Sequence, residues 1–504
     1  MMAVKVPSVM DLLQIGRSLG FRLSTPDAES FRRLLEPSFA ALNRLDAMPE
    51  PILPVRYPRA GGWRPESVDN PLNAWYWRCD IEGAATGPLA GKTFAIKDNV
   101  CVAGVPMMNG TRLMEGFVPN VDATVVTRIL DAGGKIVGKA VCESLCLSGG
   151  SHTSDTGPVR NPHDHSRTTG GSSSGCGALV AAGAVDMAVG GDQGGSIRIP
   201  SAWCGIYGLK PTYGLVPYTG AFPIEMTIDH LGPMARSAAD CALLLEVLAG
   251  PDGLDPRQRA GLSGAQYTSS LSGDVKDLRI AIVEEGFGWP GSDPSVDEGV
   301  RNAAQSFEKL GARVTNVSIQ LHRDGMPIWT GIGGEGALAT MITGKGLGTN
   351  WKGYYATGML DAFARGLRTD PDDLSESAKM LLMLGAYMRD RYQGHYYSKA
   401  QNLARSLKAA YDRELDGHDL LVMPTLATIA PLLPPSGCSR EEYMSAALGM
   451  VANTAQFNLT GHPAMSVPCG TSQSLPIGMM LVGRMGEDGT ALRAADAWQR
   501  RFVI

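Results

Sequence analysis

Two glycine turns, separated by one helix and one strand, constrain this 504-residue chain more than any other feature. The first, Gly170-Gly171-Ser172-Ser173-Ser174-Gly175, opens a run of small residues that suits a tightly packed helix over 174–182. An apolar run, Met187 to Val189, leads into the second, Gly190-Gly191-Asp192-Gln193-Gly194-Gly195-Ser196. Ser172 and Ser196 therefore lie 24 residues apart, each next to a glycine. Glycine lets a backbone approach a ligand closely and adopt φ values closed to other residues. The combination suits a nucleophile beside free backbone N–H groups. Taken singly, such a turn reads as a flexible loop or as an anion cradle at a helix start. The Walker spacing and its lysine are missing, which disfavours the phosphate reading.

The pattern around these turns alternates short β-rich runs with helices, the signal of an α/β sheet covered on both faces. Strands are predicted at 93–97, 135–139, 185–190, 278–283, 313–319, 420–423, 464–467 and 479–482. Helices are predicted at 123–132, 174–182, 238–248, 295–310, 398–415, 441–456 and 490–502. Ser196 falls just past a strand end, where open α/β sheets place ligands. Ahead of this body, residues 7–47 carry two amphipathic helix patterns. Val9, Leu12, Leu13, Ile15, Leu19 and Phe21 face one way in the first. Thr25 as cap and Pro26 at the first helical position open the second. A Pro-rich connector, 49–65, follows. Two such helices cannot bury their faces alone. Residues 1–65 thus read as a helical extension with linker, and 66–504 as the main domain. Within it, 320–397 breaks the rhythm, with a Gly-rich piece from Gly331 to Gly348 and eight Trp and Tyr residues that include Trp329.

Composition narrows the function. Glycine is 62 of 504 residues, above the usual ~7%, as many tight turns require. A net charge of −5 without a basic block does not suggest nucleic-acid or acidic-membrane partners. No apolar stretch reaches the ~18 residues of a membrane span. The first residues read as an amphipathic helix and not as a signal peptide. Nine scattered cysteines with no C-x-x-C pair suit a reduced, cytoplasmic protein with no metal and no cofactor. Cys142 and Cys146, four apart, read as two thiols on one helical face. His163 and His165 sit in a polar stretch that reads as loop.

The stretch from Thr169 to Gly214 resembles the signature of the amidase signature family of serine hydrolases nearly residue for residue. Gly91-Lys92-Thr93-Phe94-Ala95-Ile96-Lys97-Asp98-Asn99 resembles the segment that carries the family's lysine. Asp229-His230-Leu231-Gly232-Pro233, Asn458-Leu459-Thr460-Gly461-His462-Pro463-Ala464 and Pro476-Ile477-Gly478 match further blocks. The likeness runs over about 70–504 and is strongest to the amidases found beside nitrile hydratases, which share GDQGGS. It implies a large, twisted, mixed β-sheet covered by helices on both faces, with an N-terminal helical extension that serves a homodimer.

The resemblance also implies a Ser-Ser-Lys triad. Ser196 attacks the carbonyl, Ser172 passes its proton and Lys97 is the terminal base. A cis peptide bond precedes Ser172 in the family. The backbone N–H groups of Gln193, Gly194, Gly195 and Ser196 would form the oxyanion hole, and the Gln193 side chain could also reach substrate. Cys146, Leu147, Ser173, Ile228 and Trp329 are candidate substrate contacts, with 320–397 shaping the acyl pocket. Asp192, Arg198, Ser173 and Ser174 read as supporting hydrogen-bond partners. A free lysine near pKa 10.4 is protonated at pH 7, so a lysine base must be buried, and Phe94, Ala95 and Ile96 predict a buried strand before it. Strand alternation should turn Asp98 to the opposite face.

The reaction implied is hydrolysis of a small-molecule amide, with an aryl or medium-sized apolar acyl group, to carboxylate and ammonia or amine. The runner-up is the glutaminase component of a tRNA-dependent amidotransferase, which shares the signature; an aryl acylamidase acting on anilides is a variant of the first. A thiol amidase built on Lys139, Cys142 and Glu143 is a further alternative.

Overall fold

The computed structural model describes residues 4–346 and 351–502. Two compact units divide it, one ending at Leu53 and the other starting at Pro54. The smaller unit holds helices α1 (Val9–Ser18) and α2 (Thr25–Asp46). Each opens with a reciprocal capping box, Ser8 with Asp11 and Ser24 with Asp27. Ser24 is thus the cap of α2, not Thr25, because Asp27 lies at the spacing from Ser24 that closes the box. Asn43 of α2 clamps Val4 through both of its backbone groups, at 2.8 and 3.1 Å.

Among the described residues the larger unit is built on thirteen strands. Eleven form one sheet: β1 (Trp75–Ile81), β2 (Thr93–Lys97), β3 (Lys135–Ala140), β6 (Met187–Asp192), β7 (Tyr207–Lys210), β8 (His230–Ala235), β9 (Arg279–Val283), β10 (Arg313–Val317), β11 (Leu420–Pro424), β12 (Ala464–Ser472) and β13 (Leu475–Gly483). Two more, β4 (Arg160–Asn161) and β5 (Asp164–Thr168), make a separate hairpin. His163 and His165 therefore sit in a hairpin and not in open loop; Asn161 Oδ1 accepts the His163 N–H at 3.0 Å and tightens its turn. The order across the large sheet is β1-β3-β2-β6-β8-β7-β12-β13-β11-β9-β10. β2 is parallel to β3 and β6, and β9 is parallel to β10 and β11, while the pairs between β6 and β11 are antiparallel. It is the mixed α/β sheet expected, with helices on both faces.

Both faces are buried, and strand alternation divides the residues between two cores. Phe94 and Ile96 of β2 and Met187 and Val189 of β6 enter one; Ala95 and Ala188, the residues between them, enter the other. The covering helices are α3 (Thr124–Asp131), α4 (Ser174–Ala181), α5 (Arg198–Cys204), α6 (Ala238–Leu248), α7 (Pro294–Ser306), α8 (Gly325–Ala337), α9 (Thr357–Thr369), α10 (Glu376–Tyr392), α11 (His395–Gly417), α12 (Arg440–Leu448), α13 (Ala455–Thr460) and α14 (Asp488–Phe502). The single helix predicted over 441–456 is two, α12 and α13, with Gly449 capping the first.

Two segments differ from their sequence reading. The connector from residue 54 onward belongs to the larger unit: Arg59 pairs with the buried Asp122, and Trp63 exchanges backbone hydrogen bonds with Arg78 at 2.9 and 2.8 Å. The Gly-rich piece from Gly331 is α-helix as far as Ala337 and continues as a π-helix over Leu338–Thr343, and its far end, Gly348, lies outside the described residues. Among the described residues no helix is long and apolar enough to cross a membrane.

Candidate active site

The parallel pairing of β2 with β6 brings the two candidate segments together. Ile96 pairs with Val189, so the chain leaves both strands on the same edge of the sheet. Lys97, at the end of β2, is fully buried. Its Nζ donates to Ser172 Oγ at 2.7 Å and to the Gly191 carbonyl at 3.1 Å. Asp98 points away, as alternation predicts, and meets Lys139 Nζ at 2.9 Å. It also accepts the N–H groups of Met108 and Asn109 at 3.0 and 2.8 Å.

Ser172 opens the approach to α4 and follows a cis peptide bond from Gly171. Gly171 has no room for a side chain: a Cβ there would meet the Gly150 carbonyl at 2.1 Å. Glu143 holds the far side of this turn. Its N–H donates to the Ser172 carbonyl at 3.2 Å, and its carboxylate accepts from Thr153 N–H, Thr153 Oγ1 and Ser174 Oγ at 2.7, 2.7 and 2.9 Å. Burial pushes that carboxyl up to about 7, against those donors.

The second turn is tied to the first. Ser173 N–H donates to the Ser196 carbonyl at 3.2 Å, and Ser173 Oγ sits on Gly191, 3.1 Å from its carbonyl and 3.2 Å from its N–H. Ser173 is thus buried under the turns and does not face a ligand. Asp192 anchors the loop from inside. It accepts from Gly195 N–H (2.8 Å), Ile197 N–H (3.0 Å) and the Asn458 amide (2.9 Å), and it forms a two-point pair with Arg198 (3.0 and 3.0 Å). Burial opposes its ionisation, yet the Arg198 guanidinium and the Asn458 amide hold it well below the usual carboxylate range. Gly195 sits at φ 139°, and a Cβ there would meet Thr454 Oγ1 at 2.4 Å.

These contacts decide which backbone donors remain. The Gly195 N–H is taken by Asp192, so Gly195 is a hinge of the turn and not one of its open donors, a departure from the sequence reading. The N–H groups of Gln193, Gly194 and Ser196 have no partner among the described residues. They surround a partly open cavity of about 520 Å³ onto which Ser196 opens. Cys146 and Leu147 line it, with Trp329, whose Nε1 donates to the Gln193 carbonyl at 2.9 Å. Ile199, Ile224, Leu381, Leu448 and Val451 complete a largely apolar wall. Ile199 belongs to the stretch from Thr169 to Gly214, but no motif marks the other four: Ile224 precedes β8, Leu381 lies within α10, and Leu448 and Val451 lie at and just past the end of α12. Asn458, which braces Asp192, did lie in a matched block.

Several predicted positions fall elsewhere. Ile228 is fully buried away from the cavity, and its carbonyl accepts from His230 Nδ1 (2.8 Å) and the Asn458 amide (3.3 Å). Cys142 and Cys146 do not share a helical face: Leu145 and Cys146 have φ of 50° and 60°, and both thiols meet Asn109 Oδ1 at 3.5 Å. Lys139, Cys142 and Glu143 do not assemble, because Lys139 is spent on Asp98 and Glu143 on Thr153 and Ser174. Of the aromatics in 320–397, Trp329 alone reaches the cavity among those described; Tyr387, Tyr392 and Tyr396 pack edge-to-face on one another.

Known proteins resemble this chain in sequence and in fold. A family model described as Amidase matches residues 70–492. An enantioselective amidase of Rhodococcus rhodochrous is 45% identical over 98% of this chain and 96% of its own length. The matching component of the glutamyl-tRNA(Gln) amidotransferase of Chloroflexus aurantiacus is 37% identical over 83% of this chain and 84% of its own. The crystal structure of the same amidotransferase component from Thermotoga maritima superposes with a TM-score of 0.70 at 28% identity, covering 86% of this chain and 88% of that one. With its two serine turns, its lysine strand and its mixed sheet in place, the chain belongs to the amidase family, the amidase signature enzymes.

Proposed function

We propose that the protein hydrolyses carboxylic acid amides through an acyl-Ser196 intermediate, and the observation that carries this is the 2.7 Å contact of Lys97 Nζ with Ser172 Oγ beneath the cavity that Ser196 faces. An amide needs a nucleophile, a proton carrier for its poor leaving group and donors for the developing oxyanion. Ser196 Oγ adds to the carbonyl carbon while its proton passes to Ser172 Oγ and the Ser172 proton passes to Lys97 Nζ. The oxyanion accepts from the N–H groups of Gln193, Gly194 and Ser196. Collapse breaks the C–N bond, and the relay returns a proton to the nitrogen, which leaves as ammonia or amine. Water then attacks the acyl ester by the same route and releases the carboxylate.

The cavity supports an aryl or medium-sized apolar acyl group. Trp329, Leu381, Leu448 and Val451 offer it contact, and among the described residues its lining includes no charged side chain to hold the amino and carboxylate groups of glutamine. That favours a free amidase over an amidotransferase glutaminase, as does a relative that matches 98% of this chain. Nine unpaired cysteines support a reducing, cytoplasmic setting. The exposed apolar residues of the N-terminal helices support a homodimer.

The test is ammonia release from benzamide, a phenylpropionamide, propionamide and L-glutamine, with Ser196→Ala and Lys97→Ala alongside. Turnover of the first three, lost in both variants, is expected. Turnover of glutamine alone would transfer the chain to the glutaminase class.

A further inference from the structure

Gln193 is held at two points and open at a third. Its carbonyl accepts from Trp329, and its Nε2 donates to Tyr218 Oη at 2.9 Å. Tyr218 Oη has one proton, which the Phe222 carbonyl takes at 3.2 Å, and it also accepts from Asn99 Nδ2 at 3.4 Å. A hydroxyl that donates elsewhere can only accept from Gln193, so this network turns Nε2 toward Tyr218 and Oε1 away from it. Oε1 is left buried with no hydrogen-bond partner among the described residues, in a side chain only 2% exposed. A buried, unpaired acceptor has given up its hydration with no bond in exchange. On a residue that lines the substrate cavity, such a buried and unmet acceptor marks the place of a missing donor.

The position of that donor follows from the proton relay. The leaving nitrogen must face the groups that protonate it, Ser172 and Lys97. The Gln193 side chain runs to the same flank: Tyr218 contacts Asn99, and Asn99 Nδ2 and Lys97 Nζ both lie 3.5 Å from the site of a Cβ on Gly191. Resting on the amidase reading above, we propose that Gln193 Oε1 accepts the N–H of the scissile amide. The residue thereby serves as a specificity determinant for amides that bear at least one N–H, against esters and N,N-dialkyl amides of the same acid. Its backbone N–H meets the carbonyl oxygen while its side chain meets the nitrogen, so one residue reads both ends of the reacting group. A site built around such a bond rejects an analogue that lacks the donor far more strongly than an apolar pocket rejects a methylene.

The experiment compares kcat/KM for benzamide, N-methylbenzamide, N,N-dimethylbenzamide and methyl benzoate in the wild-type protein, Gln193→Leu, Gln193→Glu and Tyr218→Phe. Stoichiometric labelling of Ser196 by a fluorophosphonate reports that the turn is folded. In wild type, N-methylbenzamide is expected to exceed the dimethyl amide by about 100-fold or more. In Gln193→Leu the amide-to-ester ratio falls about 10-fold or more, because the ester never used Oε1. Gln193→Glu, which keeps an acceptor, restores part of the ratio, and Tyr218→Phe, which frees the amide to rotate, lowers it by less than Gln193→Leu. An unchanged ratio in a labelled Gln193→Leu protein overturns the proposal, as does equal turnover of the monomethyl and dimethyl amides. If Gln193→Leu does not label, the wild-type amide pair and Tyr218→Phe decide. Failure of the amidase reading looks different: no Ser196-dependent turnover of any amide.

Discussion

Lys97 and Asp98 are neighbours in the chain and never meet as side chains: the amine contacts Ser172 Oγ at 2.7 Å, and the carboxylate contacts Lys139 Nζ at 2.9 Å. The second pair keeps a buried anion away from the first. Burial pushes the Asp98 carboxyl up, and Lys139 and two backbone N–H groups oppose that. Removing one partner of a buried pair leaves an uncompensated charge. Lys139→Met should therefore cost about 3–5 kcal/mol near neutral pH, and less in acid, where Asp98 takes up a proton. Urea denaturation at both pH values checks this; an equal loss at both would show that packing, not charge, is what Lys139 provides.

What the sequence made legible was local and chemical. The run Thr93 to Ile96 between Gly91-Lys92 and Asp98-Asn99 marks a buried strand end to end, and alternation alone separates Lys97 from Asp98. What it hid depends on packing between distant segments. Helix α8 carries Gly331, Gly333, Gly334 and Gly336, a composition that reads as loop because each glycine lowers helix propensity. Close approach overrides it: a Cβ on Gly336 would meet Glu225 Cγ at 2.2 Å, one on Gly331 would meet Ala400 Cβ at 2.8 Å, and Gly385 of α10 lies against the Gly334 carbonyl. Trp329 reaches Gln193 because that helix can sit so close. Strands β7 and β8 were likewise masked by the glycines and prolines that also make the signature recognisable. The apolar wall from Leu381, Leu448 and Val451 has no sequence mark, since nothing local says where α10, the end of α12 and the turn after it converge.

Glu143 gives the fold a pH dependence whose sign can be worked out. Its carboxyl rises from an ordinary value of 4.5 to about 7 in the folded protein, with burial as the cause. Between those values the folded state binds a proton that the unfolded state has released, so stability falls as pH rises through this window. Gln in its place carries no charge to desolvate. Glu143→Gln should thus flatten the decline between about pH 5 and pH 8, in denaturant melts run across that range. A slope identical to wild type would assign the dependence to another group.

The cavity wall sets acyl size. Leu381 of α10 lines the same cavity as Trp329 and Ser196. Leu381→Ala removes apolar contact for a small acyl group and opens room for a larger one. For benzamide, kcat/KM should fall by about 10-fold, the scale of one or two methylenes in an apolar pocket, while a naphthoic or biphenyl carboxamide gains. Parallel losses across all substrates would mean that Leu381 supports the fold and not the acyl group.

The N-terminal helices bear on assembly. In their own unit, Leu19, Leu34 and Leu45 remain 62, 70 and 62% exposed, and Gly16 and Ala28 are the residues it buries. Apolar side chains recurring along two capped helices have no structural purpose unless something covers them. A second copy of the chain is the cover proposed above. Sedimentation of the full chain should then give a dimer, and a chain starting at Pro54 should give a monomer. Charged residues at Leu34 and Leu45 should shift the full chain toward monomer without the deletion, which separates loss of the interface from loss of the unit. A chain from Pro54 that stays dimeric would move the interface onto the larger unit and leave the exposed leucines to another partner.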